Sequence, residues 1–285
     1  LTCRDWSSDV CSSDLSLLWQ PNKNRRVNLD FEYVHNSYSP DTGLPLLYNP
    51  QSRQLEQLPD IDRRTSFQSA QDHSRQDIYR FKGEFVQEAV AGGRMRWTVF
   101  HTDQEWNSQG TLVNGAYPTP MGTYMVSRTL PILHDRQNVS GLHWQWHRRL
   151  KTAALSHQLV MALDYTHWTD EYRYDVIPQL APLDLNQPAE PGGALPTAYP
   201  YLKGHAVTDI VAPYVMNLMT LARKLNFMVG GRFDYLQSED SERKLENTYK
   251  PFSPILGVLW DINGRQSLYA HYGRAFAPPS TLNTT

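Results

Sequence analysis

The run NFMVGGRFDYL (Asn226–Leu236), a polar break, and then KPFSPILGVLWDINGRQSLYAHYGRAFAPPS (Lys250–Ser280) decide the fold class. Phe227, Val229, Gly231, Phe233 and Tyr235 alternate with Asn226, Met228, Gly230, Arg232 and Asp234. A period of two puts one set on each face of a β-strand. Two more strands follow. A polar loop, Gln237 to Tyr249, joins the first strand to the second. The tight turn Asp261-Ile262-Asn263-Gly264 joins the second to the third, and Asn-Gly is the pair that supplies positive φ in a hairpin. One connection is long and the next is short.

That asymmetry continues upstream. Val27, Leu29, Phe31 and Tyr33 alternate with Asn28, Asp30 and Glu32 after the turn Pro21 to Asn24. Asn36 to Gln76 loses the pattern and reads as a long loop. Alternation returns over Asp77 to Val86 and, after the Ala91-Gly92-Gly93 turn, over Met95 to Gln104. Asn107 to Leu133 is again a loop. Arg136 to His147 and Gln158 to Thr166 are strands separated by a short basic turn. Asp170 to His205 carries Pro178, Pro182, Pro188, Pro191, Pro196 and Pro200, which oppose both helix and ladder. Ala206 to Leu218 is a strand despite Pro213, which predicts a bulge or an edge there, and Arg223-Lys224 turns the chain back. About ten strands result, with tight turns at one end and long loops at the other, the arrangement of an outer-membrane barrel rather than of a soluble sandwich.

Composition permits this. The 285 residues are 40% apolar with a net charge of -2, which excludes a nucleic-acid partner held by a basic face. Mean hydropathy is -0.56. The chain has no apolar run near ~18 residues, which excludes a transmembrane helix but not strands that give half their positions to polar groups. Aromatics make up 12% of the chain and gather near strand ends. Trp19, Trp144, Trp146 and Trp260 fall on the short-turn side, and Tyr33, Tyr165, Trp168, Tyr235 and Tyr272 on the long-loop side, as two interfacial girdles. Cys3 and Cys11 lie in LTCRDWSSDVCSSDL, which repeats Ser-Ser-Asp and lacks the basic start and apolar core of a signal peptide. Residues 1–15 read as a non-native, sequencing-adapter-derived segment, with the native portion, residues 16–285, starting near Ser16 and forming a fragment of a longer protein.

Val229 to Tyr235, Phe252-Ser253-Pro254 with Gly257-Val258, Ser267 to Ala270 and Ala275 to Ser280 together resemble the barrel signature of TonB-dependent outer-membrane receptors of the siderophore-receptor type. Pro213-Tyr214-Val215-Met216-Asn217 stands where that family has Tyr-Val-Gln-Asp, so Met216 and Asn217 depart from it, and Ser16 to Tyr33 resembles the start of such a barrel. The resemblance implies an all-β, antiparallel up-and-down transmembrane barrel, of which this chain supplies about ten strands of a 22-stranded whole, without the plug domain. It also implies energy from the TonB system through a missing N-terminal region, outer-membrane lipid as surroundings, and a ferric siderophore as the transported ligand, with no cofactor of its own. Vitamin B12, haem and glycan remain open as substrates.

No positioned nucleophile or acid–base pair suggests catalysis: Glu239-Asp240 and Asp170-Glu171 read as solvated charge. The ten histidines, His143 and His147 included, show no metal-ligand spacing. A vestibule for a bulky chelate calls for aromatics and cations on the long loops, and Tyr48, Trp106, Tyr117, Tyr124, Arg128, Tyr199 and Tyr201 are the candidates, the plain alternative being that they pack their own loops. Two other functions compete: a passive porin-like channel, and a soluble β-rich carbohydrate-binding protein or enzyme.

Overall fold

Each alternating segment must find partner strands for its N–H and C=O groups. The computed structural model, which describes residues 8–221 and 224–277, carries that pairing through in sixteen strands. In chain order these are β1 (Ser8–Asn22), β2 (Arg25–Tyr38), β3 (Leu47–Asn49), β4 (Gln54–Gln57), β5 (His73–Val90), β6 (Gly93–Gln109), β7 (Leu112–Pro118) and β8 (Tyr124–Thr152). They continue as β9 (Leu155–Ile177), β10 (Leu183–Asp184), β11 (Tyr199–Leu221), β12 (Leu225–Phe233), β13 (Tyr235–Asp240), β14 (Leu245–Tyr249), β15 (Phe252–Asn263) and β16 (Gln266–Gly273). Ten of them form one antiparallel meander in the order β1-β2-β5-β6-β8-β9-β11-β12-β15-β16, as the alternation predicts. The short turns at 23–24, 91–92, 153–154 and 264–265 share one end of the sheet, and the long connections 39–72, 110–123, 178–198 and 234–251 share the other.

The two faces differ as the pattern requires. Leu29, Phe31, Phe81, Val99, Met161, Leu163, Val215, Val229, Leu256 and Trp260 are all exposed on one of them. An apolar surface of that extent is not maintained against water and calls for lipid. The opposite face, here called inner, carries Asn28, Asp30, Glu32, Arg80, Lys82, Glu84, Arg96, His143, Asp164 and Arg232. The buried apolar residues gather elsewhere. Phe67, Ala116, Val126, Leu183 and Leu185 form a core inside the long connections, and Leu130, Ile177 and Leu180 form another beside it. The molecule keeps its water-excluding interior in the loop cap and turns its sheet inside out.

Several expectations need correction. The long loops begin later than the pattern suggests, because β2, β5, β6, β8, β9 and β11 run on past the apolar band. Outside lipid the faces need not differ, so periodicity fades while the hydrogen-bond ladder continues. The polar stretch 237–249 is largely the hairpin β13–β14, in which Leu236 faces Tyr249. Trp168 lies three positions beyond Tyr165 in an unbroken register and shares the inner face with Asp164, so it is not part of a lipid-facing girdle. Pro213 produces neither bulge nor edge. It pairs with Leu163 on β9, and on its other side the ladder pauses between Tyr214, facing Arg232, and Val211, facing Tyr235, without a change of register. The missing N–H thus divides β12 from β13 and leaves the sheet intact. The Asn263-Gly264 hairpin forms, yet neither residue takes a positive φ. Asn263 Oδ1 instead accepts the Arg265 N–H at 3.0 Å, and Asn263 Nδ2 donates to Gln266 Oε1 at 3.2 Å. Arg223 of the expected Arg223-Lys224 turn, and Pro278 to Ser280 of the family-like run, lie outside the described residues.

Candidate functional site

The inner face is a continuous field of charge. Glu84 sits between Arg26 at 3.1 Å and Arg96 at 3.5 Å, and Arg80 pairs with Glu32 at 2.8 Å. Farther along, Asp164 is held by both His143 and Arg232, whose Nε reaches Asp234 at 2.7 Å. The Arg232 guanidinium lies 6.0 Å from the Tyr214 ring, whose hydroxyl accepts from Gln145 at 2.7 Å. Such groups tolerate a membrane-embedded sheet only on the side that meets water.

Beyond Tyr165 the same face rises out of the apolar band into a wall of aromatics and carboxylates. Tyr174 and Tyr201 meet edge to face with centroids 5.7 Å apart. Tyr201 projects from the bulge between Pro200 and Leu202, where the β11–β9 register shifts. Tyr172 lies across Gly204, where an added Cβ would stand 2.4 Å from its ring. Asp135 faces Tyr172 across the ladder, and Asp170 faces Ala206, which in turn faces Asp240, so the three carboxylates share one patch over small residues. Burial, followed by repulsion from Asp135 and Asp240, pushes Asp170 up to about 7. Burial likewise raises Asp135. It also raises the Tyr172 hydroxyl, with the nearby Asp240 charge adding to the effect, and that of Tyr174 beside Tyr201.

Over this wall sits the cap, organised by one arginine. Arg128 is 1% exposed. Its Nη1 donates to Phe67 O at 3.1 Å, its Nη2 to Ala181 O at 2.8 Å, and Glu190 Oε1 lies 3.4 Å away. Glu190 Oε2 accepts the Ala70 N–H at 2.8 Å, so one ion pair fastens the 39–72 connection to the 178–198 connection. A second tie is Asp72, which accepts Thr111 N–H at 2.8 Å, Thr111 Oγ1–H at 3.0 Å and Ser69 N–H at 3.2 Å. Burial raises the Asp72 pKa against the pull of those bonds.

The expected ligand residues therefore divide. Tyr199 and Tyr201 are 62% and 71% exposed and stand at the rim. Tyr48 and Tyr117 pack against each other at a tilt within the cap, with ring centroids 5.2 Å apart. Trp106 donates its Nε1–H to Ser74 at 2.9 Å, and Tyr124 packs against the Phe67 core. Arg128, expected as an exposed cation, is enclosed by carbonyls and a carboxylate. Sequence reasoning passed over Tyr172, Tyr174, Asp135 and Glu190. For the tyrosines a signal existed, because the inner-face positions of β9 continue at period two from Asp164 through Trp168 and Asp170 to Tyr174. The described residues gather aromatic rings and carboxylates on one wall.

A family model described as "TonB dependent receptor-like, beta-barrel" matches residues 15–285. Among curated proteins, the metal-pseudopaline receptor CntO of Pseudomonas aeruginosa is 25% identical over 142 residues, which are 45% of this chain and 20% of that protein. Among solved structures, the ferric-catecholate import receptor Fiu of E. coli K12 superposes with a TM-score of 0.82 at 15% identity, over 95% of this chain and 44% of that one. The siderophore receptor PiuA of Acinetobacter baumannii superposes with a TM-score of 0.79 at 13% identity, over 95% and 42%. The chain thus spans less than half the length of these proteins.

Proposed function

This chain belongs to the TonB-dependent receptor-like β-barrel family, and from that premise we propose that it forms part of the wall of a receptor that takes up a ferric siderophore or a similar bulky metal chelate. The family consists of outer-membrane transporters, not enzymes. The observation that carries the reading is the reversal of polarity across the meander within the apolar band, apolar outward and polar or charged inward, beneath the Tyr174–Tyr201 corner. Chelates of this class present flat, polarisable groups, which aromatic edges and faces hold at little entropic cost. The curated relative and the structural neighbours point the same way, each by the ligand in its own name. TonB supplies the energy and lipid the surroundings in this reading. Of the earlier candidates, Tyr199 and Tyr201 remain the proposed contacts, with Tyr174 added. Residues 1–15 we hold to be non-native, on the strength of their Ser-Ser-Asp repeat.

The test is growth under iron starvation on defined iron sources. Deleting the gene abolishes growth on at least one ferric chelate, and Tyr174→Ala with Tyr201→Ala weakens uptake of that chelate about tenfold or more. Unchanged growth on every chelate after deletion would sink the siderophore reading.

A further inference from the structure

The lipid-facing side carries a cation at its short-turn edge. Arg148 alternates with Trp144 and Trp146 along β8 and faces Gly93 on β6 and Leu159 on β9, so it stands on the apolar face one step nearer the turns than Trp146. It is exposed. Its guanidinium lies 5.9 Å from the centroid of the Trp146 ring, and its Nε passes beside Gly92, 3.5 Å from where a Cβ would stand. Among the described residues no carboxylate lies within ion-pairing distance of Arg148. The hairpin offers none, because the chain has no acidic residue between Asp135 and Asp164, while its turn adds Arg149 and Lys151. In a chain whose net charge is -2, this rim is locally positive.

A neighbouring polar pair fixes the depth. His157 faces Leu150 on β8 and Met219 on β11, on the same side of the sheet and diagonal to Arg148. Residues so placed stand roughly 7–8 Å apart. Its Nδ1 accepts from Asn217 Nδ2 at 3.1 Å, and among the described residues His157 Nε2 and Asn217 Oδ1 have no hydrogen-bond partner. Hydrocarbon would leave both atoms unsatisfied, so this level belongs to the headgroup layer. Spacing along β9 agrees. His157 and His167 are ten residues apart on it, and a strand rising ~3.3 Å per residue at a ~40° tilt covers about 25 Å over that length, the height of the apolar band.

We propose that Arg148, set against Trp146, seats the phosphodiester of an acidic phospholipid in the leaflet at the short-turn end. A guanidinium matches two phosphate oxygens at once, which an isolated ammonium does not. The indole beside it belongs at the same interfacial level. Arg149 and Lys151 add a positive field that favours a headgroup of net negative charge over a zwitterionic one. Direction fixes the source. A phosphate dissolved in water has no reason to prefer an indole-flanked position on the lipid side, whereas a headgroup is held there by its own chains.

The site exists only if the sheet is a barrel wall, so the experiment reads the two separately. The whole receptor is reconstituted in vesicles of phosphatidylethanolamine and phosphatidylglycerol in which an equal minor fraction of one lipid or the other carries brominated chains. Quenching of Trp146 is taken as the difference from Trp146→Phe. Phosphatidylglycerol is expected to be enriched beside Trp146 by about fivefold, the preference that roughly one basic residue confers near an anionic headgroup. Arg148→Ala removes the enrichment, Arg148→Lys keeps part of it, and Arg96→Ala, on the inner side, leaves it unchanged. Heat-modifiable gel migration confirms that each variant is folded. Equal quenching by the two lipids, an enrichment that survives Arg148→Ala, or one abolished by inorganic phosphate at constant ionic strength would each overturn the proposal. Quenching of the receptor's tryptophans by brominated chains of either headgroup keeps the barrel reading standing whatever the ratio; its absence would count against the barrel itself.

Discussion

Arg128 Nη1 and Glu190 Oε1 lie 3.4 Å apart, with Arg128 almost wholly enclosed and Glu190 27% exposed. The pair joins β8 to the 178–198 connection, and each partner also holds backbone of the 39–72 connection, Arg128 through Phe67 O and Glu190 through the Ala70 N–H. Removing the cation strands the carbonyls of Phe67 and Ala181 along with the carboxylate. Arg128→Ala therefore destabilises the cap by about 3–5 kcal/mol. Glu190→Gln costs about 1 kcal/mol, since its carboxylate is partly solvated. Because the ladder beneath is independent of this pair, the loss stays local. Hydrogen exchange should show residues 44–72 and 178–190 deprotected and the sheet unchanged; a uniform loss across β5, β6 and β8 would refute the local clamp.

The division of faces makes a paired prediction. Leu163, exposed between Met161 and Tyr165 and facing Trp144 and Pro213, points to lipid. Thr98 faces Glu84 and His143 on the inner side. Leu163→Arg costs about 2–4 kcal/mol of folding free energy in bilayers, while Thr98→Arg is near neutral. Reversible folding titrations into lipid vesicles give both numbers. Equal penalties would mean that the faces are wrongly assigned.

What could be read from sequence and what could not follows the solvent boundary. Within the membrane, lipid on one side and water on the other force strict alternation. Val27 to Tyr33 and Phe227 to Tyr235 therefore announced their strands, and the alternation of tight turns with long connections announced the meander. Above the membrane that constraint lapses. The outer thirds of β8 and β9, the β13–β14 hairpin and the cap strands were legible only as loop. The same lapse explains the candidate residues: Tyr201 is at the rim as its loop context suggested, but burial of Arg128 depends on Phe67, Ala181 and Glu190, partners that no local pattern connects. Trp168 was misassigned because aromatic type alone does not fix a face, whereas counting from Tyr165 does.

Gly204 sits under the Tyr172 ring, and an added Cβ would come within 2.4 Å of Cζ. Gly204→Ala must push Tyr172 off the wall, costing about 1–3 kcal/mol. Tyr172→Ala removes the obstacle, so the double variant should recover most of the additional loss. A double-mutant cycle of thermal unfolding in detergent measures this coupling. Strict additivity of the two substitutions would show that the contact carries no strain.

Asp170 supplies the pH dependence. It lies beyond the apolar band and faces Gln137 on β8 and Ala206 on β11, with Asp135 two positions along β8 and Asp240 on the far side of Ala206, and with Tyr172 and Arg243 near Asp240. Its folded pKa, raised by burial and then by Asp135, stands near about 7 against an ordinary 3.8. Between those values the folded wall holds a proton that the unfolded chain has released. Stability from this site is therefore full below about pH 4, falls as pH rises, and is lost above about pH 7. Asp135 shifts in the same direction, so the two titrate as a pair. Hydrogen exchange over residues 166–177 and 199–210 should be slower at about pH 5 than at about pH 8 once corrected for intrinsic exchange rates. Asp170→Asn, which keeps the shape and removes the charge, should flatten that difference and stabilise the wall at neutral pH. An unaltered pH slope in this variant would place the titrating group elsewhere.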